Sequence, residues 1–88
     1  MEHERAIIQF CMIRKDGTRQ EVDLDIPLSI TANELVVALN QAYRLGIDTE
    51  NIKNCYLSSE YPTALLRGNK LLSEYNLMNG TKITCSER

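Results

Sequence analysis

Between Glu21 and Ile26 acidic and apolar side chains alternate without a break, with Glu21, Asp23 and Asp25 on one parity and Val22, Leu24 and Ile26 on the other. Successive side chains of a strand point to opposite faces, so this run predicts a strand with one wet face and one face that needs a cover. Pro27 has no amide hydrogen for a ladder, which ends the strand or places it at a sheet edge. Carboxylates two residues apart on a strand stand about 6–7 Å from each other, too far to chelate one ion without further ligands. The acidic face therefore reads as a solvated surface.

The cover follows directly. Thr31 and Glu34 form a T-x-x-E capping box, in which the hydroxyl accepts from the amide of residue 34 and the carboxylate reaches back to the amide of residue 31. Ile30 and Leu35 are spaced as the hydrophobic staple that accompanies such a start. Apolar residues at 35, 36, 39, 42 and 43 make one stripe at helical spacing, and Gly46 offers the left-handed residue that closes a helix. These signals predict a helix over 32–45 whose stripe belongs to a core.

Other elements fall on either side. Ile7, Ile8, Phe10, Met12 and Ile13 predict a strand over 5–14, buried on much of both faces. Asp16-Gly17 marks a hairpin turn to the alternating strand. Beyond the helix, residues 47–53 read as a loop, and Cys55, Tyr56 and Leu57 begin a third strand. Residues 58–62 read as a turn, and Ala64, Leu65 and Leu66 as a short fourth strand stopped by Gly68-Asn69. A 3₁₀ turn is predicted near residues 73–75, a turn at Asn79-Gly80, and a last strand over 82–85 with Ile83 and Cys85 turned away from Lys82 and Thr84. A hairpin, one helix and then further strands predict an α+β fold, with the helix across one face of a mixed four- to five-stranded sheet. A right-handed crossover would lay the last strand beside the first. The 88 residues suit a single domain spanning 1–88, with a modest core over about 5–86.

The net charge of −2, with basic residues spread from Arg5 to Arg88, gives no footprint for nucleic acid. No apolar run approaches the roughly 18 residues that span a bilayer, and the polar start Met1-Glu2-His3-Glu4-Arg5 lacks the regions of a signal peptide. A cytoplasmic protein is expected, without membrane insertion. The three cysteines, at 11, 55 and 85, are odd in number and widely spaced, so they read as small buried strand residues in a reducing compartment.

Leu65-Leu66-Arg67-Gly68-Asn69-Lys70-Leu71 followed by Leu72-Ser73-Glu74-Tyr75-Asn76-Leu77 resembles the second half of ubiquitin, and the Asp16-Gly17 hairpin and Thr31 helix start fall in matching places. The resemblance covers roughly residues 5–86 and implies the ubiquitin-like β-grasp fold. It also implies that the Tyr75 ring lies at the core edge while its hydroxyl bonds to backbone in the preceding loop. Among ubiquitin-like proteins the chain resembles the bacterial YukD/EsaB family, free-standing proteins associated with type VII (ESX-like) secretion systems. The cues are a direct opening into the first strand, a long polar loop after the helix, the Leu-Leu-Arg-Gly fourth strand and an end at the last strand. The departures from ubiquitin are equally informative. Cys85-Ser86-Glu87-Arg88 carries no Gly-Gly, Asn69 stands at ubiquitin's chain-building lysine with Lys70 next to it, and of ubiquitin's hydrophobic patch only Leu65 is retained, beside small polar Thr84 and Ser86. Conjugation, sulfur transfer and binding of ubiquitin receptors are therefore not expected.

No catalytic, cofactor or metal residues are assigned. His3 is a lone histidine at the N-terminus, the cysteines are too few and too scattered for an iron–sulfur cluster, the glycines stand singly at turns, and no nucleophile adjoins a base in a known motif. Function is expected in protein binding by a monomer. The partners implied by the resemblance are cytosolic domains of type VII membrane components. The candidate face is Tyr56, Leu65, Arg67, Lys82 and Thr84 on the later strands, since aromatic and Arg side chains are common interface anchors. Leu65 is open between core and surface, and Tyr61 at a loop tip is a further exposed candidate. The competing classes are a protein modifier or sulfur carrier, and a ubiquitin-like domain of a larger transporter subunit.

Overall fold

The computed structural model describes residues 4–87, the side chains of residues 52–54 excepted. The elements run β1 (Arg5–Ile13), β2 (Arg19–Pro27), α1 (Ala32–Tyr43), a 3₁₀ helix at Thr49–Asn54, β3 (Leu57–Glu60), β4 (Ala64–Leu66), a 3₁₀ turn at Leu72–Tyr75 and β5 (Lys82–Ser86). The strands form one five-stranded sheet in the order β2-β1-β5-β3-β4. β1 pairs antiparallel with β2 and parallel with β5, so the last strand does lie beside the first. α1 crosses one face, which makes this the ubiquitin-like β-grasp architecture.

The core lies between that face and the helix. Ile8, Phe10, Val36, Leu57, Leu66, Leu72 and Ile83 are all at most 1% exposed. Burial of each such side chain contributes about 1.5–3 kcal/mol. The hairpin Arg14–Thr18 closes as the Asp-Gly pair predicts: Arg14 N donates to Thr18 O, Gly17 has φ 88°, and the Asp16 carboxylate accepts from both the amide and the hydroxyl of Thr18.

The helix start is satisfied twice over. The first four amides of any helix lack partners inside it. Here Glu34 N donates to the Thr31 hydroxyl and Thr31 N to the Glu34 carboxylate, which completes the capping box. The preceding two amides leave the helix: Ala32 N donates to Lys70 O and Asn33 N to Gly68 O. The loop before the second 3₁₀ turn is thereby stitched to the helix, and Leu72 N returns a bond to Ile30 O.

Tertiary contacts move several boundaries. The helix ends at Tyr43, because Arg44 takes the left-handed cap with φ 54° and donates from its amide to Asn40 O. Asn40 then bonds both the amide and the carbonyl of Ile47, which turns the chain back early. Ala42 of the expected stripe is exposed, and Leu45 and Ile47 fill the core beyond the helix end. Residues 49–54 form two short 3₁₀ turns joined by a kink at Asn51 (φ −105°, ψ 54°) where a loop is expected, and Cys55 donates to Asp48 O rather than joining a strand. The third strand starts at Leu57 and includes Ser58, Ser59 and Glu60, residues whose type reads as a turn. Ser59 is buried, and its hydroxyl donates to Pro62 O at 2.8 Å, so the turn is displaced to residues 61–63. On β1 the outer side is not uniformly buried: Ile7 is 54% exposed while Cys11 is sealed.

Replacement of the cap by Thr31→Ala is expected to lower stability by about 1 kcal/mol in denaturant unfolding. The Thr18 hydroxyl and amide hold the Asp16 carboxyl below its ordinary value of 3.8. A depressed folded value means that this bond stabilises the fold above pH 3.8 and that its contribution is lost as pH falls through the folded value. Thr18→Val is expected to return the Asp16 titration, followed by NMR, toward 3.8.

Candidate interaction surface

Among the described residues no element covers the face of the sheet turned away from α1. The ladder registers align its side chains in rows. Glu21, Cys11, Thr84, Ser58 and Leu65 form one row across all five strands. Asp23, Gln9, Lys82 and Glu60 form the next. Tyr56, two residues before Ser58, joins Ser58, Thr84, Cys85 and Ser86 around an open depression of about 170 Å³. Leu65 lines a second depression, of about 430 Å³, with Ser59, Glu60, Thr63 and Ala64, and Ser58 and Thr84 border both.

Four of the five predicted residues therefore share one surface. Leu65 is 47% exposed, which resolves it as surface, and its neighbour Leu66 carries the core contact. Tyr56 is exposed to the same degree but precedes β3. Thr84 and Lys82 lie on β5, half-buried. Arg67 stands apart, beyond the end of β4, with an exposed side chain. Its backbone is clamped by Tyr75, whose hydroxyl donates to Arg67 O at 2.8 Å and accepts from Arg67 N at 3.3 Å. Tyr75 also packs on the core, as the resemblance to ubiquitin implies, and Lys70 Nζ sits 4.7 Å from its ring centre. Tyr61 is 71% exposed at its loop tip.

Ser58 is the residue that pattern reading misses. It links the two depressions, and its hydroxyl donates to Thr84 O at 3.4 Å. The available signal was the spacing of Leu57 and Ser59, a large and a small side chain of the same parity, both buried on the helix side.

Charge is divided across this face. Glu21, Asp23 and Asp25 occupy the β2 side. Asp25 pairs with Arg5 at 2.9 Å and Glu21 accepts from Gln9 at 2.8 Å. Exposed pairs of this kind contribute about 0–1 kcal/mol. Lys82 stands on the central strand β5 between Gln9 and Glu60, Arg67 lies beyond the end of β4, and neither forms an ion pair among the described residues. Cys11, in the middle, is sealed on this face beneath Arg19, whose Nη2 lies 3.5 Å from Sγ. That contact raises the guanidinium further above its ordinary value, so Arg19 remains a cation.

Chemically the surface offers hydroxyls, a leucine and an aromatic ring around shallow hollows. Among the described residues no three His, Cys, Asp or Glu side chains form a group able to hold a metal. None of the three cysteines forms a disulfide, and all three are buried. His3 and Arg88 lie outside the described residues.

The solved structures similar to this chain are ubiquitin-like. The C-terminal ubiquitin-like domain of mouse tubulin-specific chaperone e superposes with a TM-score of 0.64 at 15% identity, over 99% of this chain and 92% of that one. The ubiquitin-like domain of Plasmodium falciparum Dsk2 superposes with a TM-score of 0.54 at 17% identity, covering 93% and 99%. A designed protein based on ubiquitin gives 0.52 at 22% identity, covering 88% and 83%. These likenesses define the class: the chain has a ubiquitin-like β-grasp fold. No protein-family model and no curated protein sequence matches it.

The shape of the outer face depends on Thr81, which is fully buried at the base of β5. Its hydroxyl donates to Tyr61 O at 2.7 Å and accepts from Met78 N at 3.0 Å, tying the β3–β4 turn to the loop before β5. Thr81→Val leaves both partners unsatisfied. It is expected to cost about 1–3 kcal/mol, measured by thermal or denaturant unfolding, and to broaden the NMR signals of Tyr61 and Thr63.

Proposed function

We propose that the chain is a non-catalytic ubiquitin-like protein-interaction module that docks partners on the outer face of β5, β3 and β4. The observation that carries this reading is the pair of exposed anchors, Tyr56 and Leu65, on either side of a floor made by Ser58 and Thr84. Large apolar and aromatic side chains beside shallow hollows are the anatomy of a protein interface. The hollows are open and suit partner side chains better than an enclosed small ligand.

The more specific reading is a cytosolic accessory or regulatory role in a type VII secretion system, with cytosolic domains of its membrane components as partners. The YukD/EsaB-like features of the sequence support it. No helix among the described residues is long and apolar enough to cross a membrane, which fits partners that supply the membrane anchor themselves. The chain just past β5 is fastened to β1 and its hairpin. Glu87 N donates to Ile13 O at 2.7 Å, and its carboxylate accepts from Lys15 N at 3.1 Å and lies 3.9 Å from Arg14.

Affinity capture of the tagged protein from detergent-solubilised cells of its source, beside Leu65→Arg, tests the assignment. Recovery of type VII membrane components by the native chain and their loss with Leu65→Arg is the expected result. Equal recovery by both chains would remove the proposed face, and recovery of unrelated soluble proteins alone would remove the secretion role.

A further inference from the structure

The opposite margin of the sheet carries an independent feature. β2 is nine residues long and pairs on one side only, with β1. Leu28 N donates to Glu4 O and Arg14 N to Thr18 O, at the two ends of a register that pairs Ala6 with Ile26 and Phe10 with Val22. In an antiparallel ladder bonded pairs alternate with unbonded ones. Residues 20, 22, 24 and 26 therefore bond to β1, and the backbone of Arg19, Glu21, Asp23 and Asp25 points away from the sheet. Among the described residues only the Asp25 carbonyl has a partner on that side, the Arg5 guanidinium at 3.2 Å. Unpaired amides and carbonyls in a row form a template for another strand.

The side chains along this edge specify what would pair with it. On the outer face stand Glu21, Asp23 and Asp25, and the Asp23 carboxylate has no ion pair or hydrogen bond among the described residues. On the helix side Val22 and Leu24 remain half-exposed at the margin of the core. A second copy of β2 in antiparallel register would bring two acidic rows together, and like charges facing each other across a ladder are destabilising. Pro27 shortens the available edge at one end.

We propose that the β2 edge is a strand-docking site for an extended partner segment that alternates basic and apolar residues. Its Lys or Arg side chains lie along Glu21, Asp23 and Asp25, its apolar side chains extend the row of Val22 and Leu24, and its backbone bonds to Glu21 and Asp23. Main-chain bonds supply affinity and alternate side chains supply selectivity in such additions. The site lies across the sheet from Tyr56 and Leu65, so the domain holds two protein-facing surfaces.

The test uses the peptide acetyl-KVKVKVK-amide and its counterpart acetyl-EVEVEVE-amide, followed by NMR shifts and amide hydrogen exchange. The basic peptide is expected to slow exchange at Glu21 and Asp23 at saturation and to leave Val22 and Leu24, already in the ladder, unchanged. The acidic peptide is expected not to bind. Asp23→Pro removes an outward amide that the β1 ladder does not use, and binding should be lost while the spectrum stays dispersed. Asp23→Lys keeps the backbone and should weaken binding about fivefold at low salt. Three results would overturn the proposal: shifts without protection at Glu21 and Asp23, equal binding of the acidic peptide, or protection of these amides by increasing protein concentration alone. The last would make a second copy the occupant.

Discussion

β1 is hydrogen-bonded along both edges, antiparallel to β2 and parallel to β5, and the rest of the molecule follows from that one placement. A parallel neighbour cannot be reached by a tight turn. The chain between β2 and β5 must therefore cross the sheet, and in doing so it lays α1 over one face and builds β3 and β4 on the far side. One helix cannot cover both faces. The outer face is left to water or to partners, and the two ends of the strand order are left as edges.

The crossover is held by polar detail as much as by burial. The two helix amides left over by the Thr31–Glu34 box bond to Lys70 and Gly68, and the Asn33 side chain accepts from Gly68 N at 3.1 Å. Tyr75 clasps Arg67 from beneath, and Thr81 and Ser59 hold the β3–β4 turn. No buried side-chain polar atom among the described residues is left without a partner. These contacts fix where Leu65 and Tyr56 stand, and so link the core to the candidate surface. The surface and the β2 edge lie on different strands. One domain of this size can present both without either disturbing the core.

Much of the fold was legible in the residues. The alternation at 21–26 named β2 and its wet face, the capping box set the helix start, and the resemblance of the Leu-Ser-Glu-Tyr-Asn run to ubiquitin implied the Tyr75 clasp. Helix periodicity and caps are local signals, and local signals survive without tertiary context. The errors fall where distant partners decide. Ser58 and Ser59 have the composition of a turn, yet pairing with β5 and β4 makes them strand. Arg44 rather than Gly46 closes the helix because Asn40 fastens Ile47. Of the predicted surface, Leu65, Thr84, Lys82 and Tyr56 converge because β3, β4 and β5 are neighbours. Arg67 falls outside because β4 stops one residue earlier.

By itself the sequence determined which residues are apolar, which strands and helix they form, and hence that a sheet must be covered on one side. Periodicity and capping depend on neighbours a few residues away, so no fold is needed to read them. Only the tertiary structure decided that Ser58 joins Leu65 to Thr84, that Cys11 is sealed on the outer face beneath Arg19, and that the amides of Glu21 and Asp23 point outward. Each of those depends on strand register, and register is set by pairing between segments that lie far apart along the chain.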